Sequence, residues 1–321
     1  MLLQNLSIVV LGVIADYWNL VVKKTQLENT QLQLAETYRV RRIIGRNVRI
    51  GLADNYQLNF YNNLVANAQS SKTRAEYDYQ VALRNFLTTI NMDEKLTIGN
   101  IVILSDKEQV VNFKSALTTA YKKRADYLAA KLTEKNARME LGIYSNEDLP
   151  SLTAEFKANY LAQDRNMSTA YGDATSLQYP SYEVRLKMSY PLNDTAQKTN
   201  RRNAGYKLKQ ARINLDKIKR VVKDEVHNKA EQIKTTYQIY ENSKAARIQS
   251  WIYYRRMRAN LMRGRLSAHE VKGGLDTWIM SRQNEINALI RYNIALLEFE
   301  VAKNVLFEKF KIDVDDYIPK N

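Results

Sequence analysis

The chain has 321 residues, a formal net charge of +15, four prolines, ten glycines and no cysteine. So few turn formers over this length exclude a series of small compact units and favour long uninterrupted helices. The lack of thiols excludes a disulfide framework and a thiolate metal site, and the positive charge points to nucleic acid or an anionic membrane surface as partner chemistry.

Residues 1–15 are mostly apolar, but no Lys or Arg precedes them and the first, Lys23, comes well after them. The stretch therefore does not read as a secretory signal. Gln4, Asn5 and Ser7 interrupt the run, which is too short to span a bilayer. Leu6, Val13, Leu20, Leu27 and Leu34 recur at intervals of seven, the seam of a packed helix reaching about residue 44. The expectation is a chain that starts inside a helix, with the sequence before it missing.

An Arg-rich turn over residues 41–51 reverses direction, and a second helix returns over about 52–90. Leu64, Ala68, Ser71, Ala75, Ala82 and Phe86 share one face of it, small enough for close helix approach. A short strand-like piece over 96–104 and a helix over about 107–141 follow.

Pro150 opens a different pattern. Leu152, Ala154, Phe156, Ala158 and Tyr160 alternate with Thr153, Glu155, Lys157 and Asn159. Beyond a polar connection over 164–178, Tyr182, Val184, Leu186, Met188 and Tyr190 alternate with Ser181, Glu183, Arg185, Lys187 and Ser189. Strict period two gives each strand one apolar and one polar face. A hairpin alone buries too little to hold together in water, whereas a membrane strand shows this alternation over roughly ten residues.

After Pro191, Asp194 is placed to cap a very long helix over about 195–263. Ala211, Leu215, Ile218, Val222, Val226, Ala230, Ile233, Tyr237 and Tyr240 step along it by three or four. At about 1.5 Å per residue it spans roughly 100 Å. A turn with Arg263, Gly264, Arg265, Gly273 and Gly274 follows, and a last helix returns over about 275–310.

The order repeats: a descending helix, a turn with Arg and Gly, a returning helix. Tyr38-Arg39-Val40-Arg41-Arg42 lines up with Tyr253-Tyr254-Arg255-Arg256. Ala82-Leu83-Arg84-Asn85-Phe86-Leu87 lines up with Ala302-Lys303-Asn304-Val305-Leu306. The second half carries a strand hairpin before its descending helix, so the first half should have one upstream of Met1.

No Ser/His/Asp set, phosphate loop or poised carboxylate pair is present, and His227 and His269 lack metal-ligand spacing. Neither an enzyme nor a cofactor is expected. Arg39, Arg41, Arg42, Arg46 and Arg49 follow their leucine heptads, whereas a DNA-binding basic region precedes its zipper. The Lys- and Arg-dominated run over 201–223, with Asp216 its lone acid, reads as a solvated helix face or as a contact to anionic lipid headgroups.

Five pieces in order resemble the TolC-type outer-membrane factors of efflux pumps and type I secretion systems. Ala15-Asp16-Tyr17-Trp18-Asn19-Leu20 resembles the Tyr-Trp helix after the family's first barrel hairpin, and Ile50-Gly51-Leu52 its glycine turn at the periplasmic tip. Arg124-Ala125-Asp126-Tyr127-Leu128 is similar to an Arg-Pro-Asp-Leu segment, with Ala in place of Pro. Leu149-Pro150-Ser151-Leu152 and Tyr190-Pro191-Leu192 resemble the entry to and exit from the second barrel hairpin. Departures from the pattern are the absent Gly near Asn91, the disturbed spacing after Gly264-Arg265-Leu266-Ser267, and the missing beginning.

The resemblance implies a mainly α fold in which long antiparallel coiled-coil helices form a periplasmic tunnel and a transmembrane β-hairpin contributes to a trimeric β-barrel. The parts are a helical hairpin over 1–92, an equatorial connection over 93–106, an ascending helix over 107–150, a barrel hairpin over 151–192, and a second helical hairpin with the C-terminal end over 193–321. It further implies a homotrimer in the outer membrane, reaching into the periplasm and joined to a periplasmic adaptor and through it to an inner-membrane transporter, with no nucleic-acid partner. The docking tips would be Gly51, Leu52 and Ala53 with Gly264, Arg265, Leu266 and Ser267. A gating acid would be Asp276, since the aligned position at the first tip holds Gln57. Phe156, Tyr182, Val184, Leu186 and Met188 would face lipid, and Glu155, Lys157, Glu183, Arg185 and Lys187 the lumen. The alternative is a soluble coiled-coil scaffold or adaptor that never enters a membrane, with a basic helical nucleic-acid binder behind it.

Overall fold

The computed structural model describes residues 2–93, 104–147, 149–160, 166, 172, 180–189 and 195–312. The strand-like piece expected over 96–104 apart from Leu104, the polar connection apart from Asn166 and Gly172, Tyr190-Pro191-Leu192 and Asp194 lie outside the described residues. In chain order the elements are α1 (Leu2–Arg49), α2 (Asn55–Thr89), α3 (Phe113–Lys123), α4 (Ala125–Glu147), β1 (Ser151–Tyr160), β2 (Pro180–Ser189), α5 (Thr195–Met262), α6 (Ala268–Ala302) and α7 (Leu306–Lys309). The chain divides into two compact units, Met1–Asp126 with Arg220–Asn321, and Tyr127–Lys219.

In the first unit α1 packs against both α2 and α6. Leu20 joins Leu83 and Leu87 on the α2 side. Trp18 and Val21 join Ile290, Leu297 and Leu306 on the other. Two neighbours demand two seams, so the single leucine heptad is not the buried line. Leu6, Val13, Leu27 and Leu34 are only half-buried, while Ser7, Trp18, Asn29 and Val40 are buried. Those four recur every eleven residues (7, 18, 29, 40), a spacing of about 3.67 residues per turn that keeps one line of an α-helix turned inward. Asn29 pairs across the seam, donating to Gln283 Oε1 (3.0 Å) and accepting from Arg282 Nε (2.9 Å). The apolar N-terminal part of α1 is long enough to cross a membrane by composition, contrary to the expectation from residues 1–15. Its Trp18, Leu20 and Val21 are nevertheless core residues of this unit.

On α2 the close-approach face is Tyr61, Ala68, Ala75, Leu83 and Leu87, all buried. Ser71, expected there, is exposed: it lies roughly 50° around the helix from the line through 61, 68 and 75, at the open edge of the seam. The expected helix over 107–141 is two helices. Residues 108–112 belong to no helix, and Asn112, in the extended region, caps α3 by accepting the Ser115 N–H (3.2 Å). The chain then breaks at Arg124 (φ −73°, ψ 122°) before α4.

Arg124 fastens that break. It is 5% exposed, makes two bonds to Asp126 (3.0 and 2.7 Å), one to Glu225 (2.6 Å) and one to the Ala302 carbonyl (3.2 Å). Burial opposes its charge, but the two carboxylates outweigh that and raise its pKa.

α6 starts at Ala268, not near 275, because Ser267 and Glu270 form a reciprocal capping box. Gly273 and Gly274 are thus inside the helix and not in the turn. Gly274 is there for proximity: a Cβ on it would sit 2.6 Å from Met257 Sδ and 3.8 Å from the Tyr254 backbone.

In the second unit, Ala137, Leu208 and Ala211 pack with Leu141. β1 and β2 pair antiparallel in register Ser151↔Ser189 through Tyr160↔Pro180.

Candidate functional site

Both helix reversals end on the same hydrogen-bonded cap. At the first, Leu52 N–H reaches the Asn47 carbonyl (2.8 Å) and Gly51 N–H the Val48 carbonyl (3.1 Å). At the second, Arg265 N–H reaches the Asn260 carbonyl (3.0 Å) and Gly264 N–H the Leu261 carbonyl (3.0 Å). These are Schellman pairs, and the glycines take the left-handed residue at φ 73° and 70°. Asn91 (φ 53°) and Asn304 (φ 57°) fill the same role at the far ends of α2 and α6. Asn is the side-chain-bearing residue that tolerates this region best, which accounts for the glycine missing near Asn91.

These caps fix the register of the repeat. Gly51 and Gly264, Asp54 and Ser267, and Asn91 and Asn304 are each 213 positions apart (264 − 51, 267 − 54, 304 − 91), and α2 and α6 both have 35 residues. Ala82-Leu83 and Phe86 therefore correspond to Ala295-Leu296 and Phe299, seven residues before the alignment drawn from sequence. A slip of one heptad preserves the apolar phase, so sequence alone does not detect it. Likewise Tyr38 corresponds to Trp251, Gln57 to Glu270 and Asp276 to Asn63.

The two tips touch. A Cβ built on Gly264 lies 3.4 Å from Leu52 Cδ1 and 3.5 Å from Leu52 Cβ, whereas one on Gly51 meets nothing within 4 Å. Asn47 Nδ2 donates to the Leu261 carbonyl (2.8 Å), Tyr61 Oη to the Ala268 carbonyl (3.1 Å), and Ala268 N–H to Gln57 Oε1 (3.3 Å). Leu52 remains 54% exposed and Ile50 59%, so this end presents apolar side chains outward. Gly51, Gly264 and Arg265 are exposed, and Ala53, Leu266 and Ser267 half-buried. The Ser267 hydroxyl and backbone N–H hold the Glu270 carboxyl below its usual pKa.

Behind the tips lies a buried acid that the sequence reading did not single out. Glu36 accepts from Arg258 Nη1 (2.6 Å), Arg39 Nη1 (2.6 Å) and Tyr254 Oη (2.8 Å), bridging α1 to α5. Tyr254 stacks on Trp278 (5.5 Å, 10°), which also packs on Trp251 (4.4 Å). Burial and the Glu36 carboxylate push the Tyr254 hydroxyl above its ordinary pKa. The residue had a signal: Glu36 follows the buried α1 line, on a face where an acid needs a partner. Asp276 is half-buried, accepts from Gln33 Nε2 (3.2 Å) and pairs with Lys272. It lines a cleft of about 650 Å³ whose α1 floor is Gln26, Asn29, Thr30, Gln33 and Thr37.

The hairpin is built differently. Leu152, Phe156, Tyr182, Val184, Leu186 and Met188 are 62–72% exposed, with Phe156 stacked on Tyr182 across the pair (6.0 Å). On the other face Glu155 opposes Arg185 and Lys157 opposes Glu183. The described residues contain no group of three or more His, Cys, Asp or Glu able to hold a metal.

No family model matches the chain. A curated relative, the probable kinetochore protein NDC80 of Debaryomyces hansenii, is 26% identical over 183 residues, 54% of this chain and 28% of its own length. So short a span of that relative carries nothing about its role to this chain. Solved structures align over nearly the whole chain. CusC, whose structures concern transmembrane channel formation, matches at TM-score 0.65 and 15% identity over 94% of this chain and 69% of its own. VceC, an outer membrane protein of Vibrio cholerae, matches at 0.60 and 12% over 93% and 70%. The CmeC outer membrane channel of Campylobacter jejuni matches at 0.56 and 13% over 98% and 68%.

The chain has the TolC-type outer-membrane-factor fold. At these identities the likeness is one of fold. In TolC-type terms, the two glycine-capped reversals are brought together by the structure. Asp276 lies about two turns into α6, away from them. The hairpin residues divide between two faces as the alternation requires.

Proposed function

We propose that this chain is a protomer of an outer-membrane exit duct serving a tripartite efflux pump or a type I secretion system. The observation that carries the reading is the hairpin: six large apolar side chains on one face, all exposed, with no core behind them among the described residues. In water a two-stranded sheet with such a face is marginal. In lipid, burying six side chains at about 1.5–3 kcal/mol each stabilises it by roughly 10 kcal/mol. Both outer edges of the pair need strands from other copies, since backbone groups cannot stay unpaired in hydrocarbon. Three copies of this hairpin supply six strands, and since about eight strands leave an interior only wide enough for side chains, a homotrimeric barrel with a water-filled lumen needs further strands beside it; in such a barrel Glu155, Lys157, Glu183, Arg185 and Lys187 face the lumen. The helices extend into the periplasm, and the exposed tips, Gly51 to Ala53 with Gly264 to Ser267, dock an adaptor that leads to an inner-membrane transporter. Asp276, in its polar cleft, is the acid proposed to gate the passage.

The test compares Val184→Arg with Glu183→Arg. A cation at mid-bilayer costs about 2–4 kcal/mol, so the first substitution should block outer-membrane assembly and the second should not. Equal assembly of both would remove the membrane assignment. For the tips, Gly51→Trp enters open space and adds about 1–2 kcal/mol of left-handed strain, and it should abolish transport while leaving assembly intact. Unchanged transport would take the tip out of the docking role.

A further inference from the structure

The polar face of the hairpin carries five charges, and four of them cancel. Glu155 and Lys157 on β1 stand opposite Arg185 and Glu183 on β2, so each charge has an opposite one across the ladder and another along its own strand. Lys157 Nζ lies 2.9 Å from Glu155, Arg185 lies 2.6 Å from Glu183 and 3.8 Å from Glu155. The fifth, Lys187, stands opposite Thr153 with Arg185 and Ser189 as its same-face neighbours, and it has no carboxylate partner among the described residues.

A checkerboard of two cations and two anions has a field that dies within a few ångströms. A lone charge persists to the Debye length, about 8 Å at physiological salt, and further where low-dielectric walls focus it. The uncompensated charge therefore sets the sign of this wall. The chain reinforces that sign at the same end of the hairpin, where Ser151 pairs with Ser189. Six positions on, directly after Asp194, α5 begins at Thr195. Its sequence then holds Lys198, Arg201, Arg202 and Lys209 before its first acid, Asp216, while Lys207 and Arg212 in the same run are paired with Glu140 and Glu134.

We propose that Lys187 gives the barrel section of the duct a preference for anionic solutes, with the other four charges forming a neutral wall. This rests on the outer-membrane reading above. In a closed barrel each protomer contributes one such lysine, making a ring of like charge of the kind that sets ion preference in pores. The favoured class is small organic or inorganic anions, and the effect lies with one side chain and not with the overall charge of +15.

The chain has no cysteine, so a single introduced thiol reports its own surroundings. Thr153→Cys, in the full chain reconstituted into lipid vesicles, is treated with anionic and cationic methanethiosulfonates, each rate normalised to a free thiol. One lysine on the adjacent strand should favour the anionic reagent roughly three- to tenfold. Lys187→Gln should bring the ratio close to one and Lys187→Glu should invert it. Asn159→Cys, opposite Ser181 on the far side of the neutral quartet, should show no preference. Equal rates at Thr153→Cys, a ratio that Lys187→Glu does not move, or the same preference at Asn159→Cys would each overturn the proposal. Val184→Cys separates this failure from that of the parent reading. Protected from both reagents, it leaves the hairpin in lipid; reacting as fast as Thr153→Cys, it overturns the membrane reading and the selectivity proposal together.

Discussion

Replacing Glu36 by alanine should be among the most damaging single changes in the helical unit. Its carboxylate is 6% exposed and holds Arg258, itself 19% exposed, and the fully buried Tyr254. Its third partner, Arg39, is 52% exposed and adds little after solvent screening. Removing one member of a buried pair costs about 3–5 kcal/mol, because the other charge is left uncompensated. Glu36→Ala also strands the Tyr254 hydroxyl, worth about 1–3 kcal/mol alone, although Arg258 can reach part of the vacated space. The expected loss is about 4 kcal/mol. Glu36→Gln keeps an acceptor and should cost about half of that, and Tyr254→Phe about 1–2 kcal/mol. Urea unfolding followed by far-ultraviolet circular dichroism gives these values, and the Glu36→Ala/Arg258→Ala cycle should return a coupling of about 2 kcal/mol. A Glu36→Ala loss under about 1 kcal/mol, or no coupling, would show that the bridge does not tie α1 to α5.

Leu52→Cys with Gly264→Cys should form a disulfide under mild oxidation, since the Cβ positions lie 3.5 Å apart; a chain that stays reduced on a non-reducing gel would separate the two tips. Ala125→Pro should stabilise by about 0.4–1 kcal/mol in thermal unfolding, because 125 is the first residue of α4 and Arg124 before it already sits in the extended region proline requires. Destabilisation would mean the break at Arg124 is wrongly placed. The asparagine caps should differ on replacement by glycine. Asn91→Gly should be neutral or mildly stabilising, while Asn304→Gly should lose about 1 kcal/mol, because Asn304 Nδ2 donates to the Lys123 carbonyl (2.8 Å). Equal effects on melting temperature would dismiss that bond.

What could be read from sequence followed from how tightly each pattern constrains structure. Period two in the hairpin leaves one choice of face, since a slip of one residue moves every charge to the apolar side. Gly51 and Gly264 were legible because a left-handed cap has few other occupants. Heptads constrain less: they repeat every seven residues, so a register one heptad out fits the two returning helices as well, and a single seam fits α1 where the structure has two. Gly273 and Gly274 read as a turn because glycine marks both turns and close helix contacts, and only the Ser267 capping box tells them apart. The break at Arg124 has an alanine where a proline would have announced it. Glu36 carries one signal, its place along the buried α1 line, but a single leucine heptad masks that line and its partners on α5 are more than 200 positions away (254 − 36).

The central claim, that one face of the hairpin lies in lipid, is tested most directly by single cysteines at each position from 181 to 189 in outer-membrane preparations, labelled with a membrane-impermeant thiol reagent. Labelling should follow period two: strong at 181, 183, 185, 187 and 189, and weak at 182, 184, 186 and 188. Uniform labelling along the strand would contradict it.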